Sequence, residues 1–224
     1  MRNGGKQLFR IVGLRRIHHL FRSALFDDLA EPPLLIGLVG RAGSGKSTVA
    51  GLLAPPFLRF FFLLAPASLE ASVAPVTAAA ALESGRYTST TVVPGPAAIK
   101  LPNSTRELKN WTGSACGPND KTTLQDALAV SCNTAFASIG MDLGQDALRE
   151  QAEKFGFNSS FQVPLRAAQS RFPADLDPAQ TAMAAIGQFD VTATALQMAM
   201  VGAGIGDNGQ VMNPYLVSQT LSPE

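Results

Sequence analysis

The chain has 224 residues, 46% of them hydrophobic and 16% charged, with a formal net charge of +1 at pH 7. That apolar fraction is ample for a buried core and excludes wholesale disorder, and the length suits one large domain or two small ones. The near-neutral balance excludes a general nucleic-acid binder, which needs a basic field to neutralise phosphates.

Charge is unevenly placed along the chain. Arg2, Lys6, Arg10, Arg15, Arg16 and Arg22 precede the first acid, Asp27, interleaved with Leu8, Phe9, Ile11, Val12, Leu14, Ile17, Leu20 and Phe21. This pattern fits a basic amphipathic helix on a membrane surface, an acid-poor targeting segment or an ordinary solvated terminus. Residues 34–39 then read as a short buried strand, followed by Gly40-Arg-Ala-Gly43-Ser44-Gly45-Lys46-Ser47-Thr48 and a helix start. Glycines let backbone N–H groups curl around phosphates, Lys46 supplies a cation, the Ser47 hydroxyl suits magnesium, and the helix N-terminus adds its dipole. Residues 34–54 resemble the first strand, loop and helix of a nucleoside or nucleotide kinase. That resemblance implies Mg-ATP bound by Gly40, Gly43, Ser44, Gly45, Lys46, Ser47 and Thr48, with Ser47 on the metal. Phosphoryl transfer is not expected, because the helix has only about two turns before Pro55. No second apolar strand ends in a metal-binding aspartate either, since Asp142 and Asp190 fall in a later region of different character. Residues 49–67 reach the length of a membrane span, but Arg59 lies near their middle and Pro55-Pro56 break the helix a span requires.

Residues 55–75 have no consistent period and read as a join. From Val76 the sequence behaves like a folded domain. Residues 77–83 are an Ala-rich helix end closed by Gly85, residues 88–93 a β-branched strand, and residues 103–123 a long loop. Cys116 and Cys132 flank the end of that loop and a short helix, so they fit either a small disulfide outside the cytoplasm or two ordinary thiols. Metal binding is not expected, because two cysteines and a distant His18-His19 pair lack ligand spacing. Thr122 and Gln125 suit a capping box ahead of a helix whose face carries Leu124, Ala127, Leu128 and Ser131. A second helix takes Phe136, Ile139 and Leu143, and a third takes Leu148, Ala152 and Phe155 before Gly156. Asp177-Pro-Ala-Gln180 combines an N-cap, a first-turn proline and a reciprocal glutamine, opening a helix through Met183 and Ile186. Thr194 and Gln197 repeat that logic for a helix through Met200. Asn208-Gly209 turns the chain into a terminal strand over 211–217.

Ser131-Cys132-Asn133 carries the chemical signal. With Ala185-Ile-Gly-Gln188, Val191-Thr-Ala-Thr-Ala-Leu-Gln-Met-Ala199, Asp207-Asn-Gly209 and Asn213-Pro-Tyr-Leu-Val217 it forms an ordered series that resembles penicillin-binding transpeptidases. The tripeptide is similar to that family's Ser-x-Asn motif. The family performs serine acyl transfer, with Ser-x-x-Lys supplying nucleophile and base, Ser-x-Asn lining the opposite wall, and Lys-Thr-Gly binding the substrate carboxylate. By this resemblance Ser131 relays protons between the lysine and the departing amine, while Asn133 hydrogen-bonds substrate and orients the lysine. Local sequence alone also fits simple capping, a serine ending one helix and an asparagine opening the next. The first motif is not found: Ser72 stands where the nucleophile is expected, and Pro75 occupies the lysine position. The Lys-Thr-Gly strand is expected beyond Glu224, and Lys121-Thr122-Thr123 reads as helix-cap chemistry. Gln188 reads as bracing a turn.

The expected fold is a mainly helical α+β domain, a partial penicillin-binding/β-lactamase-like serine transpeptidase preceded by a short strand–P-loop–helix fragment. The divisions are 1–33, 34–54, 55–75 and 76–224. The resemblance implies peptidoglycan cross-linking as the family activity, no cofactor, stem peptides or β-lactams as partners, and the extracytoplasmic face of the inner membrane. This chain is expected to be a truncated, inactive member. The alternative is a cytoplasmic P-loop ATP-binding protein or nucleotide kinase fragment, and a third reading is a non-catalytic remnant that docks other cell-wall proteins.

Overall fold

The computed structural model describes residues 7–10, 70–163, 165–166 and 168–214. Among these, six helices and eight short strands follow in order: β1 (Gln7–Arg10), α1 (Glu70–Glu83), β2 (Val92–Pro94), β3 (Ala98–Lys100), β4 (Glu107–Lys109), β5 (Lys121–Thr123), α2 (Leu124–Ala129), α3 (Asn133–Leu143), α4 (Gln145–Lys154), β6 (Gln162–Val163), β7 (Leu165–Arg166), α5 (Pro178–Ala184), α6 (Ala195–Gly206) and β8 (Gln210–Met212). The strands form four separate antiparallel pairs, β1–β8, β2–β5, β3–β4 and β6–β7, so the body is helical with ribbons at its surface.

Helix α1 is its centre. Val73, Ala74, Val76 and every residue from Ala78 to Leu82 are buried, and a helix apolar on all sides must be enclosed by neighbours. It packs against α2, α3, α4 and α6. The buried Thr77 hydroxyl donates to the Ala185 carbonyl at 2.7 Å. The alanines set the close spacing, and Gly85, at φ 73°, ends the helix in the left-handed region. The helix begins at Glu70 and contains Pro75. It therefore crosses the boundary drawn between residues 75 and 76.

The capping box at Asp177 is complete: its carboxylate accepts from the Gln180 N–H at 2.8 Å, and the Gln180 side chain accepts from the Asp177 N–H at 2.9 Å. Helix α6 has half of one. Thr194 accepts from the Gln197 N–H at 3.0 Å, but the Gln197 side chain reaches the Phe155 carbonyl at 2.7 Å, tying α6 to the end of α4. Helices α3 and α5 cross at Gly140, where a Cβ would stand 2.3 Å from the Ala185 Cβ.

Four local expectations are corrected. Of residues 88–93 only Val92 and Val93 are strand. Thr88 and Thr91 close a turn through a 2.8 Å bond from the Thr88 N–H to the Thr91 hydroxyl, an alternative that threonine offers the backbone against a ladder. The loop over 103–123 contains β4 and β5, each drawn out by a partner strand upstream. The α2 cap is Thr123 rather than Thr122: Thr122 is buried in the β5 ladder, and the Thr123 hydroxyl accepts from the Asp126 N–H at 3.1 Å. Of the three readings left open for the basic N-terminal segment, the helix does not hold at Gln7–Arg10, which is extended and paired along β8, whose edge offers unpaired backbone groups. The terminal strand is seen over Gln210–Met212, and its expected continuation from residue 215 lies outside the described residues.

Candidate functional site

The turn joining α2 to α3 holds the tripeptide. The Cys132 N–H donates to the Ala127 carbonyl at 2.8 Å and the Ser131 N–H to Leu128 at 3.2 Å. These are the paired bonds of a helix ending whose next residue is left-handed, and buried Ala127 and Cys132 supply the accompanying apolar contact. Ser131 occupies the left-handed position at φ 53°. Glycine is the usual occupant. Of the eight described non-glycine residues with positive φ, six are Asn or Asp, whose short polar side chains tolerate that region; Ser131 and Phe189 are the others. The Ser131 hydroxyl makes no hydrogen bond among the described residues, so it does not cap either helix.

Cys132 is the N-cap of α3 and makes no side-chain cap bond. It is joined to Cys116 by a disulfide, with Cα atoms 6.0 Å apart, which closes the question the sequence left open. The bridge packs under Gly95, where a Cβ would meet the Cys116 Cβ at 3.2 Å and the Cys132 sulfur at 3.4 Å. Asn133 is the first helical residue rather than a cap. It is 9% exposed, its Nδ2 donates to the Lys109 carbonyl on β4 at 3.4 Å, and its Oδ1 has no partner among the described residues. The capping explanation of Ser131 and Asn133 is thus replaced: neither side chain caps.

The structure brings in one residue that sequence reasoning missed. Asn110, just past β4, is buried and accepts from the Thr134 N–H at 3.0 Å. It lies inside what reads as loop, and no periodicity or motif marks it.

The remaining expected positions are dispersed. Pro75 is buried in α1, so no amine stands at the expected lysine position, and the side chain of Ser72 lies outside what is described. Thr123 of the Lys121-Thr122-Thr123 run is indeed the α2 cap. Gln188 follows Gly187 (φ 78°) in the turn after α5, its N–H bonded to the Met183 carbonyl at 3.0 Å. The loop from Gly40 through Gly43, Ser44, Gly45, Lys46 and Ser47 to Thr48 lies outside the described residues. Open hollows of 500 Å³ beside Lys100–Thr105 and 290 Å³ beside Arg149 and Arg171 are not lined by Ser131 or Asn133.

A family model described as the penicillin binding protein transpeptidase domain matches residues 71–222. The peptidoglycan D,D-transpeptidase PbpA of Mycolicibacterium smegmatis is 41% identical over 150 residues, 66% of this chain and 30% of that protein. The crystal structure of PBPA from Mycobacterium tuberculosis superposes with a TM-score of 0.63 at 39% identity, over 65% of this chain and 34% of that one. An imipenem acyl-enzyme complex of the same protein gives 0.62 and 39%, over 65% and 33%. The chain thus spans about a third of the length of these relatives.

Proposed function

Because the chain belongs to the penicillin-binding protein transpeptidase family, we propose that it presents one wall of a serine acyl-transfer site for peptidoglycan stem peptides, with Ser131 and Asn133 as the groups that face the substrate. The observation that carries this reading is the conformation of Ser131. A serine held in the left-handed region, where glycine is cheaper, with a hydroxyl that bonds none of the described residues, gives up stability for the placement of one oxygen. Asn133 complements it: its amide donates to β4 and leaves a carbonyl oxygen to accept from a substrate N–H. In acyl transfer the nucleophile's proton must reach the departing amine, and a hydroxyl at Ser131 passes it on once a base has taken it.

The base is the missing part. A buried proline at position 75 has no amine to activate a serine, so this chain alone forms no covalent adduct with penicillin. The Cys116–Cys132 disulfide fits an oxidising compartment, in keeping with the cell envelope outside the inner membrane. With this reading goes the division at 1–33, 34–54, 55–75 and 76–224, modified in that α1 starts at Glu70 and Gln7–Arg10 pairs with β8. Incubation with a fluorescent penicillin followed by denaturing electrophoresis tests it. No labelled band is expected; a band lost on Ser72→Ala or Ser131→Ala would show that another base operates.

A further inference from the structure

Helix α3 opens in an unusual way. The first N–H groups of a helix lack intrahelical partners, and the N-cap side chain ordinarily accepts from one of them. At α3 that residue is Cys132, whose sulfur is committed to the disulfide. The Thr134 N–H is taken instead by Oδ1 of Asn110, 24 residues upstream. Asn110 is 6% exposed, and its Nδ2 donates to the Pro96 and Ser114 carbonyls, each at 2.8 Å. The Thr134 hydroxyl donates to the same Pro96 carbonyl, also at 2.8 Å. One amide therefore ties the first turn of α3 to the segment before β3 and to the loop that carries Cys116.

The disulfide fixes Cys132, and the bonds from the Ser131 and Cys132 N–H groups to α2 hold the start of the turn, but neither holds the first turn of α3. The Asn110 amide supplies that hold, at Thr134 next to the tripeptide and at Ser114 close in sequence to Cys116. We propose that Asn110 is the positioning residue of the Ser131–Asn133 turn, a helix cap supplied from a distant loop that sets the direction in which both side chains project. Its importance for catalysis rests on the reading of Ser131 and Asn133 given above. The cap itself does not.

Amide hydrogen exchange on the full chain tests this without any acylation step, so its failure is distinct from failure of the transpeptidase reading. Thr134 should be protected in the native chain although it lies in a first turn. In Asn110→Ala its protection should fall on the order of tenfold or more, while Ile139 and Gly140, farther along α3, keep theirs. Asn110→Asp supplies a sharper readout. A carboxylate there has no proton for the Pro96 and Ser114 carbonyls, and their repulsion draws it off the Thr134 N–H; those two carbonyls, the Thr134 hydroxyl and the non-titrating disulfide are the groups that face it. Burial lifts such a carboxyl above its usual value of about 3.9. As pH falls it regains one donor against the amide's two, so protection at Thr134 should recover in part in acid, after correction for intrinsic exchange, in the Asp variant alone. Uniform loss across α3 in the Ala variant, unchanged protection at Thr134, or no acid recovery in the Asp variant would each overturn the proposal. Should the Ala variant not fold, the Asp variant compared between neutral and acid pH decides.

Discussion

Replacing Ser131 by glycine should make the protein more stable. The left-handed region costs an L-residue roughly 1–2 kcal/mol, and Ser131 lies in it at φ 53° with no hydrogen bond from its hydroxyl to offset the cost. Glycine escapes that penalty but loses about 0.5–1 kcal/mol through its freer unfolded chain. At the midpoints of those ranges the net gain is about 0.7 kcal/mol. For a domain of about 150 residues or more, each kcal/mol moves Tm by about 2–4 °C, so Ser131→Gly should raise it by ~1–4 °C in thermal unfolding followed by circular dichroism. Ser131→Ala is the control: it keeps the Cβ and the strain, and deletes only a hydroxyl that bonds none of the described residues, so its Tm should match the native chain. A glycine variant no more stable than the native chain would refute the strain argument. An alanine variant that melts well below it would show that the hydroxyl is structural, and the case for its placement toward a substrate would fall with it.

Removing the disulfide by paired Cys116→Ser and Cys132→Ser releases a cross-link between residues 16 apart in sequence; a loop of that size is worth about 3 kcal/mol, so Tm should drop by ~6–12 °C. An unchanged Tm would mean the bridge does not constrain the unfolded chain. Gly140→Ala places a Cβ 2.3 Å from the Ala185 Cβ, and since neither methyl can swing away, α3 and α5 must part. The expected cost is about 1–3 kcal/mol, read as a lower urea midpoint. The Tyr87 phenol is pushed up to about 12, first by burial and then by its hydrogen bond to the Asp142 carboxylate. Because the folded value lies above the unfolded one of about 10, its contribution to stability is whole below pH ~10 and is lost as pH rises through about 12. Ultraviolet titration of the phenolate should show one tyrosine ionising late in the native chain and earlier after Asp142→Asn.

The parts of this fold legible in the sequence are those whose determinants lie within a few residues of one another. Asp177, Pro178 and Gln180 carry every group their capping box needs, and the buried pairs Leu124 and Ala127, Phe136 and Ile139, and Leu148 and Ala152 all fall at helical spacing. Strands β4 and β5 escape because three residues carry no period of their own and extend only against Ala98–Lys100 and Val92–Pro94. Pro75 signals a helix boundary, yet α1 runs through it, since enclosure on every side outweighs a local penalty of about 3 kcal/mol. At the site, the tripeptide is visible but its geometry is not. Serine has no preference for the left-handed region, and Asn110 owes its role entirely to a contact 24 residues away.

The enclosure of α1 also sets a timetable. Synthesis runs from the N-terminus at about 5–20 residues per second, and α1 ends at Glu83 while α6, which completes its cover, ends at Gly206. For on the order of ten seconds a largely apolar helix is exposed before the last of the helices that pack on it has been made. That interval is long enough for a holdase or a second nascent chain to find it first. The helix at the centre of the finished body is therefore a segment that exposes the growing chain to aggregation, and slowing translation ahead of α6 should cost soluble yield more than slowing it afterwards.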